Sequence, residues 1–353
     1  MGRISGVDVR WRRDSAIRVV CGAHTGLISA GPGHLGVNVI RSRFPEGVRR
    51  AAVIAICTYK REGLLPRLLD EIYRQVKELS PGFVVRILVI DNDPEGSASS
   101  CLDLRRSAVD KDLFTYCHEP NPGVGHARNL AFSSVTEGEW LIFFDDDQMP
   151  GPAWLQEFLA APDLWQGDVF VGPVRPRLPD EYPNWAEGAW AWSRPEYADG
   201  AVRRHAGFGN ILISPSALQN SVCKVPRPFL NGPGEDTAVT SALTAEGYKI
   251  VHVLGAWAWE AVTADRLEIR WVMDRRKAAG RVWARLVLDG HSGSASLAVS
   301  FVGLVARALL LRVRAAIHRS PSDAVRANAH LATAAGYVLE IRGYLSRKIG
   351  AAG

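Results

Sequence analysis

The stretch that most limits what this chain can fold into is Trp140-Leu141-Ile142-Phe143-Phe144-Asp145-Asp146-Asp147-Gln148-Met149-Pro150. Five apolar residues followed by turn signals predict a strand covered on both faces, as in the middle of a parallel sheet. Three carboxylates follow at once, and Pro150 keeps the strand from running on. Adjacent acids repel one another, so the run is costly unless something cationic sits there. At the carboxyl edge of a sheet, where open α/β folds bind their ligands, a divalent metal with phosphates is the natural occupant. A solvated acidic turn is the plainer reading of three aspartates, and their place directly after a buried strand argues against it.

The preceding residues repeat that arrangement. Ala51 to Cys57 reads as a first buried strand that breaks into Thr58-Tyr59-Lys60-Arg61-Glu62. Leu64, Leu65, Leu68, Leu69, Ile72, Val76 and Leu79 recur at helical spacing, and Ser80-Pro81-Gly82 stops them. Val84 to Ile90 is a second β-branched run, ending in Asp91-Asn92-Asp93. Strand, helix and strand in that order predict a parallel βαβ unit with acids at a strand's carboxyl end. Leu113 to Cys117 predicts a third strand, followed by a turn holding Gly123 and Gly125 and a helix starting near Gly125. Glycines at a helix start expose unpaired backbone N–H groups and favour anions, and Arg128 one turn later suits a diphosphate.

Beyond the acidic run, Pro152 to Ala161 predicts a short helix, Val169 to Gly172 a strand, and Gly207 to Ser214 a glycine-initiated strand. Glu235 and Asp236 open a further helix, where acids can simply complement the helix dipole. Tyr248 to Val253 and Ala256 to Trp259 read as closing strands. Between residues 175 and 206, Trp185, Trp190 and Trp192 fit core packing, with the lining of a sugar-sized cleft as the second reading.

Charge divides the chain. From Arg266 to Gly353 there are 15 Lys/Arg against 5 Asp/Glu, although the whole chain is only +5, so the body is mildly acidic. A basic tail on an acidic body suits an anionic membrane surface, and no RNA-type aromatic motif or zinc finger accompanies it, so nucleic acid ranks below. The most apolar stretch, 295–317, is interrupted by Arg307, Arg312 and Arg314 and is expected to be interfacial or core-forming rather than spanning. Five scattered cysteines without a C-x-x-C pair argue for a reducing compartment and against a zinc site or disulfide framework. Residues 1–47, rich in Gly and Arg and without a period or an apolar signal core, are expected to form a poorly ordered leader.

Taken together, Thr58-Tyr59-Lys60-Arg61, Asp91-Asn92-Asp93, Asn121-x-Gly123-x-Gly125-x-Ala127-Arg128-Asn129, Phe144-Asp145-Asp146-Asp147 and Gly234-Glu235-Asp236 resemble the motifs of family 2 glycosyltransferases with the GT-A fold. Trp271 to Gly280 is similar to the bacterial exopolysaccharide (succinoglycan-type) branch, and the resemblance covers about residues 50–285. It implies an α/β fold with a Rossmann-like, mostly parallel mixed sheet over 48–265, followed by a basic helical extension over 266–353. It further implies an inverting transfer from a nucleoside diphosphate sugar, expected to be a UDP-hexose, to a glycan or lipid-linked acceptor. Thr58, Tyr59, Glu62, Asp91 and Asp93 would hold the nucleoside, and Arg128 the base or diphosphate. Asp145 and Asp147 would form the D-x-D pair, Asp145 near ribose and sugar and Asp147 on Mn²⁺ or Mg²⁺, with Asp146, Gly209 and Asn210 towards the donor sugar. Asp236 would be the catalytic base, with Glu235 second.

The chemistry is coherent by itself. A metal neutralises the leaving diphosphate as a Lewis acid, and a carboxylate takes the proton of the attacking hydroxyl. One departure is that the branch often has a histidine after the position of Glu260, where this chain has Ala261; His252 is the substitute ligand considered, though it reads first as a strand residue. The expected setting is cytoplasmic, peripheral on the inner face of the cell membrane. The alternatives are a catalytically silent sugar-nucleotide binding or scaffold protein and a metal-dependent phosphohydrolase.

Overall fold

The computed structural model describes residues 50–61, 63–100, 113–289 and 295–350, with strands at 8–11, 16–21 and 24–29; these leader strands, 295–296 and 347–350 are described as backbone. In the leader, where composition predicts little order, β1 (Asp8–Trp11), β2 (Ala16–Cys21) and β3 (His24–Ser29) pair antiparallel.

An eight-stranded mixed sheet forms the body. β4 (Arg50–Thr58), β5 (Phe83–Asp91), β6 (Phe114–His118) and β7 (Trp140–Phe144) are mutually parallel neighbours. The sheet continues beyond β7 through β9 (Val169–Val171), β11 (Val202–Arg203), β12 (Asn210–Ile213) and β13 (Ile250–His252), in the order β11-β13-β9-β12-β7-β4-β5-β6. β12 runs antiparallel to both its neighbours, which makes the sheet mixed.

Alternate residues of the central strands enter two cores. Ile54, Ile56, Ile87, Val89, Ile142 and Phe144 pack on one face with Leu65, Leu68 and Ile72 of α1 (Leu65–Lys77) and with Trp154 and Phe158 of α3 (Trp154–Leu164). Val53, Ala55, Leu88, Ile90, Leu141 and Phe143 pack on the other, against Ala127 and Ala131 of α2 (Val124–Ser133) and Val239 and Leu243 of α5 (Glu235–Ala245). This period of two explains why the strands read as unbroken apolar runs. A short α4 (Pro215–Leu218), capped by the Ser214 hydroxyl, follows β12.

The acidic run lies where the chain changes sheets. β7 ends at Phe144, and β8 (Gln148–Pro150) belongs to a small second sheet with β14 (Ala258–Ala261) and β10 (Val174–Arg177). Pro150 therefore closes a short edge strand rather than simply ending β7, as a residue without an N–H can at a sheet edge. Glu260 pairs with Gln148 across this sheet, which brings an acid from β14 beside the turn. Buried Gln75 ties α1 to the same region, donating to the Gly151 carbonyl (2.9 Å) and accepting from the Leu155 N–H (3.0 Å).

The basic tail folds back as helices. α6 (Ile269–Leu288), α7 (Ala295–His318) and α8 (Pro321–Gly350) follow one another, and α8 packs on both α6 and α7. α6 and α8 meet through Gly280 and Gly336, where a Cβ would overlap the backbone carbonyls of Thr333 and Lys277. Buried Glu340 takes Arg281 (3.2 Å) and Arg285 (2.9 Å). A third core joins the tail to the body, with Val272, Val325 and Ala329 against Trp185, Ala186 and Ala191. Trp185 is thus a core residue, the expected core packing, with the Trp192 ring tilted beside it (5.7 Å).

Gly336→Leu is expected to destabilise the protein by about 3 kcal/mol, because two backbones in contact cannot make room for a side chain. Gly303→Ala, on α7 with no atom within 4 Å of a Cβ, is expected to stabilise by about 0.5 kcal/mol through helix propensity. Paired thermal melts check both signs.

Candidate active site

At the carboxyl ends of β4, β5 and β7 the expected residues converge, but they divide into an inward set and a cleft-facing set. Asp146 is inward and nearly fully buried, accepting from the Thr58 hydroxyl (2.7 Å) and from Arg61 Nη1 (2.7 Å). Burial, more than any neighbour, raises its carboxyl above the ordinary range, while Arg61 works against the rise. Asp91 is also inward, with no exposure: its carboxylate accepts from the N–H groups of Asp93 (3.0 Å) and Ala98 (2.7 Å) and from the Tyr116 hydroxyl (3.1 Å). Buried Asp93 accepts from the Glu95 N–H (3.3 Å). Both acids shape the loop that follows β5, and their side chains do not open to the cleft. Tyr59 stands out at 48% exposure. Glu62 lies outside the described residues.

Asp145 faces the cleft, its side chain 39% exposed, with Arg128 Nη2 at 3.6 Å. Burial by the surrounding walls pushes its carboxyl up to about 6; Arg128 and Arg194 pull the other way, and Asp147 and Asp146 add to the rise. Gly209 makes this geometry possible. Its carbonyl accepts the Asp145 N–H (3.1 Å), and a Cβ there would strike the Asp145 carboxylate and Gln148. Asn210, by contrast, turns into the core at 1% exposure. It accepts from Trp154 Nε1 (2.7 Å) and donates to the Ala256 carbonyl (2.8 Å), so its side chain does not reach the cleft where a donor sugar was expected.

Asp147 is held by two guanidinium groups, Arg61 Nη1 and Arg266 Nη2, each 2.9 Å from Oδ2. Arg266 also bridges to Glu260, with Arg194 within 3.9 Å of the same acid. A small cavity beside Glu260 is lined by Trp192, Arg194, Trp271 and Arg275, so one tryptophan of the 175–206 segment does border a polar pocket. Burial and the charge of Arg194 hold Arg275 below the ordinary arginine range. Sequence reasoning missed these arginines as site residues. Arg61 was visible inside the Thr58-Tyr59-Lys60-Arg61 run, whereas Arg266 meets Asp147 across 119 positions and carries no local signal.

The two acids that open α5 behave differently. Glu235 is buried and paired with Arg128, whose guanidinium also lies over the Phe208 ring (5.1 Å). Asp236 accepts the Thr237 N–H (2.6 Å) and hydroxyl (3.1 Å) on Oδ1, leaving Oδ2 without a hydrogen-bond partner among the described residues. It lines an open groove of about 390 Å³ with Gly123, Val124, Asn231 and Pro233.

The glycine-rich start of α2 is not the free anion cradle that its composition predicted. The Gly125 N–H donates to the Leu230 carbonyl (3.1 Å) and the Gly123 N–H to Asn92 Oδ1 (2.9 Å). Gly123, at φ 131°, and Gly125 let the helix close on the 229–231 loop, where a Cβ on either would collide. Among the described residues no three of His, Cys, Asp or Glu converge as a metal site. His252 sits beside Tyr197 (5.7 Å), with both ring nitrogens unpartnered, and burial lowers its pKa; its neighbours are Arg203, Asp199 and Glu196 rather than the aspartate run.

Residues 53–216 match the sequence model of Glycosyl transferase family 2. The succinoglycan biosynthesis protein ExoM of Rhizobium meliloti (strain 1021) is 28% identical over 305 residues, spanning 84% of this chain and 96% of that protein. The mannosyltransferase PcManGT from Pyrobaculum calidifontis, solved with GDP-Man and Mn²⁺, superposes with a TM-score of 0.58 at 18% identity, over 83% of this chain and 87% of that one. These likenesses bear out the resemblance to family 2 glycosyltransferases of the exopolysaccharide branch, the GT-A fold and the reading as a glycosyltransferase.

The raised Asp145 carboxyl has a testable sign. Its folded value, about 6, lies above the ordinary 3.8, so the folded state binds this proton more tightly than the unfolded chain. That contribution is complete at low pH and is lost as pH rises through about 6. In chelator-containing buffer, Asp145→Asn is therefore expected to melt higher than wild type at neutral pH, and the gap is expected to close by about pH 4.

Proposed function

We propose that this chain, a glycosyltransferase by its family 2 domain, moves a hexose from a nucleoside diphosphate sugar to a hydroxyl of a growing or lipid-linked glycan, with inversion at the anomeric carbon. The observation that carries the proposal is the division of labour between the two acidic sites. Around Asp145 and Asp147 cations gather; beside the groove at α5, Asp236 keeps one carboxylate oxygen unengaged.

Asp236 is the proposed base. As the acceptor oxygen bonds to the anomeric carbon, the hydroxyl proton passes to Asp236 and the carbon–oxygen bond to the diphosphate breaks, its electron pair leaving with the diphosphate. A single displacement of this kind inverts the centre. Glu235 serves differently, because its pairing with Arg128 commits its charge to holding that guanidinium towards Asp145.

Arg61, Arg266 and Arg194 are proposed to receive the diphosphate. A guanidinium offers paired donors to phosphate oxygens, and these three, held by Asp146, Asp147 and Glu260, gather their donors at the cleft. The ion fits on one condition. Asp145 and Asp147 supply hard oxygen donors but among the described residues no third protein ligand converges, and Ala261 adds none, so the phosphates would complete the shell. Asp147, with Asp145, would then hold Mn²⁺ or Mg²⁺, which supplies Lewis-acid neutralisation of the leaving group when bound. The PcManGT structure with GDP-Man and Mn²⁺ supports the pairing of a nucleotide sugar with a divalent ion on this fold, and the ExoM relative supports an exopolysaccharide product. A UDP-linked donor and work at the inner face of the membrane complete the reading.

Melting with UDP, GDP, CDP or dTDP, each with and without Mn²⁺, tests the donor site. One nucleotide is expected to raise the midpoint in a metal-dependent way in wild type and not in Asp147→Ala. Asp236→Asn is expected to keep that shift while losing transfer by about a thousandfold. A product that retains the donor's anomeric configuration would overturn the single displacement.

A further inference from the structure

The helix α7 carries an apolar stripe on its outward side. At about 100° per residue, Val299, Val302, Leu309, Leu310, Val313 and Ile317 fall within one stripe of the helix. All six are exposed, from 58% at Val313 to 73% at Val299. The opposite side of the helix carries Ala308, which is buried at 1%. An amphipathic helix of a globular body puts its apolar stripe on the core. This one keeps Phe301, Leu304, Val305 and Leu311 partly covered on the side of Ala308 and gives a second apolar stripe to solvent.

The charges identify the occupant. The helix has no acidic residue between Ala295 and His318. Arg307 and Arg314, seven residues apart, lie along one flank of the stripe, and Arg312 lies along the other. Arg314 reaches Asp323 (3.4 Å) yet stays 66% exposed, and Arg312 donates to the Asn328 side chain (3.1 Å). An apolar ridge with arginines on both sides is the arrangement of a helix lying in a membrane interface, its ridge among acyl chains and its guanidinium groups at anionic headgroups. Among the described residues no helix is long and apolar enough to cross a membrane, so α7 would lie on the surface. A second copy fits less well, because a two-fold contact would set arginine flank against arginine flank with no acid on this helix to pair them.

We propose that the exposed face of α7 is a docking surface for an anionic lipid bilayer. The proposal rests on this helix alone and stands apart from the reading of the donor site.

Flotation of the full chain with vesicles of phosphatidylcholine alone, or of phosphatidylcholine with phosphatidylglycerol, tests it. Wild type is expected to float with the anionic vesicles, to release as salt rises, and to float poorly with the neutral ones. Leu309→Glu with Val313→Glu is expected to cut the bound fraction at least about tenfold while keeping the wild-type melting midpoint. Leu309→Trp, which preserves the stripe, is expected to shift its added emission to the blue on anionic vesicles. Three results would overturn the proposal: no flotation of wild type, equal flotation of the double variant, or a dimer in sedimentation that the double variant abolishes without any lipid binding. An acidic protein that binds the stripe in place of vesicles would also overturn it.

Discussion

Three consecutive carboxylates cannot share one turn without cations, and much of this molecule is arranged to supply them. Arg61 comes from the loop after β4, Arg128 from α2, and Arg266 from the approach to the C-terminal helices. Arg61 is shared between Asp146 and Asp147, and Asp147 takes Arg266 as well. Asp146 is drawn into the protein between Thr58 and Arg61, and the acids on either side of it are left facing the cleft. The run is a turn closed by the Gln148 N–H on the Asp145 carbonyl (3.2 Å), and Thr58 and Arg61 draw its middle carboxylate inward. The middle aspartate becomes part of the scaffold, and the outer two remain available for chemistry.

The same economy runs through the surrounding elements. Gly209 gives up a side chain so that Asp145 can sit against β12, and the neighbouring Asn210 satisfies three groups inside the core. Asp91 and Asn92 organise the loop beyond β5, with Asn92 donating to the carbonyls of Glu119 and Asn121 and accepting from Gly123. Polar residues at strand ends thus carry two kinds of work that residue type does not separate. Some hold loops by taking backbone N–H groups, which would be costly to leave unpaired once buried. Others keep an oxygen towards the cleft. At α5 the two are adjacent: Glu235 holds Arg128, and Asp236 keeps an open oxygen.

The tail joins the site as well as covering the body. Arg266 reaches Asp147 and Glu260 immediately before α6 begins, and Trp271 in the first turn of α6 lies near both Arg266 (5.8 Å) and Arg275 (5.3 Å). Because α8 clamps α6 through two backbone contacts at glycine, the position of Arg266 is coupled to the packing of helices outside the matched family region. A sequence reading that treated the tail as one basic, surface-facing segment merged two roles: its first residues complete the site, and α7 carries the exposed apolar ridge.

The sequence by itself determined the main strands along the chain and the burial of both sheet faces, because apolar runs broken by acids and glycines leave little choice but parallel strands with ligand-facing ends, whereas the short β8, β10 and β11 and the order of strands in the sheet came from tertiary pairing. It also determined where the acids lie, since Asp145 to Asp147 must follow wherever their strand ends and Glu235 with Asp236 must sit where their helix begins. Tertiary structure decided which of them face the cleft. That choice depends on partners distant in the chain: Arg61 for Asp146, Arg128 for Glu235, and Arg266 for Asp147 across 119 positions. It also decided that the glycines before α2 serve close packing on the 229–231 loop rather than an open anion cradle, because a backbone N–H is free only if no carbonyl from another part of the chain arrives to meet it.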